Sequence, residues 1–320
     1  MADAFFGNKR FKPAATPVGP GNAIATNPQA KIQTRIVINE SEVLTEVDRI
    51  PALSDVVTKI IALVGSQQAS ATGLENLIKR DMVIAGRLLK LVNSPFYGLK
   101  QPVPTIAQAV TIIGISSLKS LVIAASASNL MVVDLTPLGF APEGLWRNSM
   151  ITGVLARAIA LQVGVSKDEA EDYFLGGMMR DVGMLVSGTL MAKYQITLRQ
   201  DPTAEGDLID RERALMGFDH AWVGSQIAEK WRLPASLTMT IGKHHRAPNG
   251  ITPAETQRLA TIRLAERLAY HTGSGLLPDH PFETRIDGAL ITAACLDAAK
   301  FQTFITEIPR LVASAEQSLS

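Results

Sequence analysis

Leu88-Leu-Lys-Leu-Val-Asn-Ser-Pro-Phe-Tyr-Gly98 and then Pro104-Thr-Ile-Ala-Gln-Ala-Val-Thr-Ile-Ile-Gly114 set the reading of the whole chain. An apolar helix from Met82 to Val92 meets Asn93-Ser-Pro95, and the proline drives the residue before it out of the α region. A second helix, Thr105 to Ile113, closes at Gly114, and Leu118 to Val133 forms a third. Helix, break, helix continues in both directions. Upstream, Leu53, Val56, Val57, Ile60, Ile61 and Val64 recur at the spacing of one helix face, and Thr72 with Glu75 reads as a capping box. Downstream, Asp134-Leu-Thr-Pro-Leu-Gly139 breaks the chain before Glu143 to Val163. Ser166 with Glu169 is a further capping box and predicts a helix over Ala170 to Leu190. After a polar stretch from Gln200 to Asp207 come helices at Leu208 to Met216 and His220 to Trp231. Pro234 suits the first turn of a helix carrying His244 and His245. Thr252-Pro-Ala-Glu255 opens one that reaches His271. Glu283 to Lys300 and a last helix to Ala315 complete the pattern. No set of strands follows residue 40 and no repeat is visible. The expected fold is all-α and two-lobed: a first helical lobe over 43–139 and a second over 140–320.

Residues 1–42 read differently. Pro13, Pro17, Pro20 and Pro28 interrupt a segment without helical period, so a mobile leader is expected. Ile32 to Ile38 is rich in β-branched residues, as a lone strand would be. Lys9, Arg10, Lys12, Lys31 and Arg35 outnumber its acids, which would suit an arm docking on an acidic partner.

Composition narrows the function. Of 320 residues 47% are hydrophobic and 19% charged, enough for a sizeable core. Thirty-one Lys and Arg against thirty Asp and Glu leave a net charge of +1, unlike the basic excess of a nucleic-acid binder. A single cysteine, Cys295, excludes a disulfide framework and a cysteine-based zinc site. The apolar run Ser120 to Val133 is too short to span a bilayer, and Met1 to Arg10 lacks a signal-peptide core. A soluble, cytoplasmic protein is the expectation.

Most catalytic signatures are missing: no phosphate-binding glycine loop, no dinucleotide fingerprint, no H-E-x-x-H. Ser116-Ser-Leu-Lys119 matches S-x-x-K without its partner motifs, a chance match. The informative polar residues are those set in apolar helices. Arg180-Asp181 lies within Phe174-Leu-Gly-Gly-Met-Met-Arg-Asp-Val-Gly-Met-Leu-Val186, and a carboxylate there needs an ion-pair partner or a metal. His220, His244 and His245 follow in the next 64 residues, and imidazoles and a carboxylate from different helices can hold a divalent ion. Structural hydrogen bonding is the competing account of each histidine.

With these residues in view the chain resembles the HDOD family, bacterial signalling domains related to the HD-superfamily phosphohydrolases. The resemblance rests on Asn93-Ser-Pro-Phe-Tyr-Gly98, Trp146-Arg-Asn-Ser149, Gly176-Gly-Met-Met-Arg-Asp-Val-Gly183, His220-Ala-Trp-Val-Gly224, Trp231-Arg-Leu-Pro234 and His244-His245, and spans about residues 45–270. It marks Asn93, Ser94, Tyr97, Gly98, Trp231 and Pro234 as family positions. The Asn93 to Gly98 element itself is expected to be architectural, Asn93 satisfying a helix end and Phe96 and Tyr97 packing the first lobe. It implies that active relatives bind metal through a histidine, a His-Asp pair and a distant aspartate. Their places are taken here by Asn148, Arg180-Asp181 and Glu266. An amide oxygen replaces imidazole poorly on a transition metal, and a guanidinium is a permanent cation that cannot ligate at all. The degenerate site Asn148, Arg180, Asp181 and Glu266 therefore predicts a pseudoenzyme with no catalytic residue and no cofactor. Such a module would act in signal transduction by contacting other signalling proteins, with no nucleic acid and no membrane span. The alternatives are a phosphodiesterase on a single metal held by Asp181, His220, His244 and His245, and a sensor binding a cyclic dinucleotide through Arg180, Asn148 and the histidines.

Overall fold

The structure, a computed structural model, describes residues 36–64, 69–141, 143–198, 207–246, 249–276 and 286–318. Among them there is no strand, and the fold is all-α as the sequence predicts. The first lobe holds α2 (Asp55–Val64), α3 (Ala71–Ile78), α4 (Met82–Val92), α5 (Ile106–Ile113) and α6 (Ile115–Met131), preceded by α1 (Glu40–Arg49). The second holds α7 (Gly144–Gln162), α8 (Lys167–Met179), α9 (Met184–Lys193), α10 (Leu208–Met216), α11 (His220–Lys230), α12 (Ala235–Lys243), α13 (Pro253–Ala269), α14 (Gly288–Ala293) and α15 (Ala298–Gln317).

Side-chain caps set many of the starts. Asp81 accepts from the amides of Val83 and Ile84 at α4, Ser166 from Glu169 at α8, and Thr252 and Glu255 cap each other at α13. At α3 the cap is Ser70, which accepts from Gly73 at 3.1 Å, and the expected Thr72 lies inside the first turn. Asn93 ends α4 and reaches forward instead of back: its amide donates to Val103 O at 2.9 Å and accepts from Val103 N at 2.6 Å. That pair fixes the approach to α5.

Three expected helices are interrupted. Ala170 to Leu190 is broken over residues 180–183 between α8 and α9, because the chain there runs against α11: a Cβ on Gly183 would lie 1.9 Å from His220 O. The last turn of α12 is Lys243, so His244 and His245 follow the helix rather than ride on it. Glu283 to Lys300 divides at Ala294–Asp297, where Cys295 has φ +60° and Asp297 caps α15; residues 283–285 lie outside the described residues.

Of the expected leader, residues 1–35 lie outside the described residues and 36–42 are placed against the second lobe. Ile32 to Arg35 lie outside the described residues, but the amides of Ile36 and Ile38 donate to Leu215 O and Met216 O at the end of α10. Among the described residues these are two single bonds, with no strand ladder. Residue 42 falls within α1, which packs on α9 and α11 of the second lobe. Lys230 Nζ donates to Val47 O, Asp48 O and Ile50 O at 3.0, 2.6 and 2.8 Å, so a cation neutralises the carbonyl end of α1. Trp231 Nε1 adds a bond to Pro51 O at 2.9 Å.

The core is one continuous buried cluster from Ile38 to Ala315. Helix α7 crosses α8 so closely that a Cβ on Gly177 would lie 3.0 Å from Gly153 Cα. Helix α6, buried on most of its circumference, packs on α2 and α4 on one side and on α8 on the other; its apolar run belongs to the centre of the fold, and no described helix is long and apolar enough to cross a membrane. Phe96 and Tyr97 sit at the junction of the lobes: Phe96 stacks on Phe174 at 5.5 Å, and Arg157, paired with Glu171 at 2.7 Å, lies over both rings. Replacing Lys230 with Met keeps the aliphatic stem and removes the ammonium from three carbonyls. We expect a loss of about 1–3 kcal/mol, read from the urea unfolding midpoint; an unchanged midpoint would show that the bonds contribute nothing to stability.

Candidate functional site

The turn between α8 and α9 carries Arg180 and Asp181 into the centre of the second lobe, and the close approach at Gly183 presses it against the start of α11. Arg180 is fully buried, the largest side chain with no exposure. Its Nη1 donates to Gly177 O at 2.7 Å and its Nε to Glu266 Oε1 at 3.2 Å; Nη2 donates to Asn148 Oδ1 and lies 2.8 Å from Asp181 Oδ2. Asn148 Nδ2 in turn donates to Ser274 O at 2.6 Å. The four residues expected from the degenerate pattern, Asn148, Arg180, Asp181 and Glu266, thus meet around one guanidinium.

Asp181 faces the histidines with its other oxygen. Its Oδ1 is 3.3 Å from His220 Nε2 and 3.5 Å from His244 Nε2. His220 Nε2 is 3.3 Å from His244 Nε2 and 3.1 Å from His245 Nε2. All four residues are buried, each at 2% exposure or less. The outer nitrogens decide what the inner ones carry. His244 Nδ1 donates to Ile241 O at 2.7 Å, and His220 Nδ1 lies 2.6 Å from Glu212 Oε2. With their protons on Nδ1, neutral His220 and His244 turn lone pairs toward each other and toward a carboxylate. Such an array repels itself unless a cation sits in it, either an added proton or a metal ion.

The donor spacing suits a metal. Ligands about 2.1 Å from an ion at angles between 90° and 110° stand about 3.0–3.4 Å apart, which is the spacing of these nitrogens. Three imidazoles and one carboxylate are a donor set for zinc, iron or manganese, one ligand atom from each lies within 4.8 Å of the others, and Asp181 Oδ1, the oxygen turned away from Arg180, has no well-formed hydrogen bond to satisfy it otherwise. The residues present fit one ion held by Asp181, His220, His244 and His245, with Glu212 orienting His220 from behind.

Glu212 was not visible as a site residue in the sequence. Its signal was weak but real: Leu208, Ile209, Glu212 and Met216 share the buried face of α10, and a lone acid on an apolar face needs a partner. Of the other family positions, Trp231 ties α11 to Pro51, Pro234 caps α12, and Ser94, Tyr97 and Gly98 stay with Asn93 in the turn after α4, away from the histidines.

The chain belongs to the HDOD domain family, whose pattern matches residues 50–247. It is 25% identical over 224 residues to an uncharacterized protein of Treponema pallidum (strain Nichols); the match takes in 68% of this chain and spans 42% of that protein's length. Among solved structures it is similar in fold to an HDOD domain protein of unknown function from Geobacter sulfurreducens, with a TM-score of 0.63, 20% identity, and 88% of this chain and 99% of that one covered. A protein from Marinobacter aquaeolei VT8, described as acting in signal transduction, gives 0.65 at 18% identity over 91% of this chain and 64% of that one. One from Shewanella amazonensis SB2B, described as a phosphohydrolase, gives 0.61 at 19% over 86% and 97%.

Charge in the cluster gives a pH signature. Burial would lower the pKa of His220, but the Glu212 and Asp181 carboxylates outweigh it and hold the imidazolium well above its ordinary range. Burial, with His244 and His220 beside it, holds His245 well below. Burial works against the Asp181 carboxylate, yet Arg180, His220 and His244 keep its pKa well below the usual value. Below the ordinary imidazole pKa of about 6.5 the unfolded chain takes a proton that folded His245 refuses, so stability falls as pH falls. Above it the unfolded chain releases a proton that folded His220 keeps, so stability falls as pH rises. Urea unfolding of chelator-treated protein should therefore show a stability maximum close to neutral pH, with a flatter acid limb in His245→Gln; an acid limb of unchanged slope in that variant would assign it elsewhere.

Proposed function

We propose that this chain is a non-catalytic module of bacterial signal transduction, acting in the cytoplasm through contacts with other signalling proteins, and that it keeps half of a phosphohydrolase centre as a closed site for one divalent ion. The observation that carries this reading is the burial of Arg180. Its guanidinium stands where the resemblance puts a metal-binding histidine, and it is engaged by Gly177, Asn148, Asp181 and Glu266 together. A second cation is thereby built into the protein, and it cannot polarise water as a metal does. Four buried protein donors are the full complement of a structural ion site, whereas hydrolytic centres keep a coordination position for water. A cyclic dinucleotide in the old cleft would have to compete with these same partners for Arg180 and Asn148.

The donor set itself favours the second reading, a phosphodiesterase working on the single ion of Asp181, His220, His244 and His245. Metal analysis and turnover separate the two. After reconstitution with zinc, manganese or iron we expect close to one equivalent, lost in His244→Ala, and no hydrolysis of cyclic dinucleotides above a protein-free control. Turnover by the unmodified protein that disappears in His244→Ala would overturn the non-catalytic reading, and failure to retain any metal would overturn the ion site. Asn148→His with Arg180→His restores the ligand types of active relatives, and a second equivalent of metal in that double variant is the expected gain.

A further inference from the structure

On α11 successive residues turn by about 100°, so His220 and the residues flanking the core lie on one side while Trp222, Ser225 and Glu229 form a stripe on the other. That stripe borders a groove of about 700 Å³ against α12, whose lining includes Arg213, Trp222, Glu229, Arg232, Met239 and Lys243. A recess of about 330 Å³ continues from it toward Ile38 and shares Arg213, Asp219 and Trp222. The volume is that of a small-molecule site, for which about 300–1,000 Å³ is usual.

The lining is specific in chemistry. Trp222 is half-buried, backed by Phe218 at 6.3 Å, and its backbone amide is held by Asp219 at 2.8 Å, so the indole sits on a fixed helix start. Arg213 is neutralised by Asp219 at 2.5 Å. Arg232 and Lys243 are exposed and make no ion pair among the described residues. They leave the groove with positive charge beyond what Glu229 offsets. Arg232 also has φ +53°. It follows the helix cap at Trp231, a place where glycine adopts the left-handed conformation without strain and a side chain does not. An arginine held at a conformational cost in a groove is a reason to look for its ligand.

We propose that this groove binds a nucleoside monophosphate, its base stacked on Trp222 and its phosphate held by Arg232 and Lys243. An indole face gives stacking that any base accepts, and guanidinium and ammonium donors make charge-assisted bonds to phosphate oxygens. The site is separate from the histidine cluster and does not depend on the proposed ion.

The test is intrinsic tryptophan fluorescence of the full chain, titrated with AMP and GMP and, separately, with adenosine and inorganic phosphate, each with and without chelator. A saturable change with a monophosphate is expected, absent in Trp222→Phe and weaker with adenosine or phosphate alone. Arg232→Gly relieves the backbone and should unfold at the same or higher urea concentration, yet bind at least about tenfold more weakly, as the loss of one charge-assisted contact implies; Lys243→Ala should weaken binding similarly. No response to either nucleotide at millimolar concentration overturns the proposal. So does unchanged affinity in Arg232→Gly and Lys243→Ala, or a response to an acidic peptide alone.

Discussion

A guanidinium with no exposure is costly to bury, and the second lobe is arranged around meeting its needs. Gly177 supplies a carbonyl, Asn148 an amide oxygen, and Asp181 and Glu266 supply opposite charge, from three helices and a turn. Each partner also depends on Arg180. Removing it would strip the buried carboxylates of Asp181 and Glu266 of their shared countercharge, a situation that costs about 3–5 kcal/mol in comparable sites. The close crossing of α7 on α8 and the press of Gly183 against α11 put those partners within reach. The same turn then offers Asp181 to the histidines, so one dipeptide joins a closed ion pair to an open set of lone pairs.

Much of the site was legible because its residues violate the apolar pattern around them. Arg180-Asp181 stood out inside a run of glycine, methionine and leucine, and three of the five histidines fell in one stretch. Spatial convergence was not legible from spacing. It came from the family resemblance, and the structure brings Asn148, Arg180, Asp181 and Glu266 to one point. Glu212 stayed hidden since a single acid on a helix of mixed polarity gives only a weak signal, and its function depends on a histidine in the next helix. The groove beside Trp222 had no sequence signal either, because its walls come from several elements.

The fold was readable in class and in most helix starts, less so in its breaks. Caps and prolines are local chemistry, and Ser166 and Thr252 act where the sequence puts them. The break over residues 180–183 has no proline and no polar run. Tertiary contact with α11 imposes it, which a periodicity cannot report. Ser70 displaced Thr72 as a cap for a similar reason: both offer a hydroxyl, and only the packing of α3 on its neighbours fixes which turn comes first.

The placement of α1 has a consequence for motion. The described chain opens on the second lobe, through Ile36 and Ile38 on α10 and α1 on α9 and α11, leaves to build α2 to α5, and returns by α6. Topologically the first lobe is an excursion whose two ends are both anchored on its neighbour, at Lys230 and Trp231 on one side and along α6 on the other. A lobe held at one end can swing on a single linker; one held at both, with Phe96 and Arg157 between, has no such hinge. Any coupling between the two lobes would then take the form of shifts within a shared interior, not the opening and closing of two jaws.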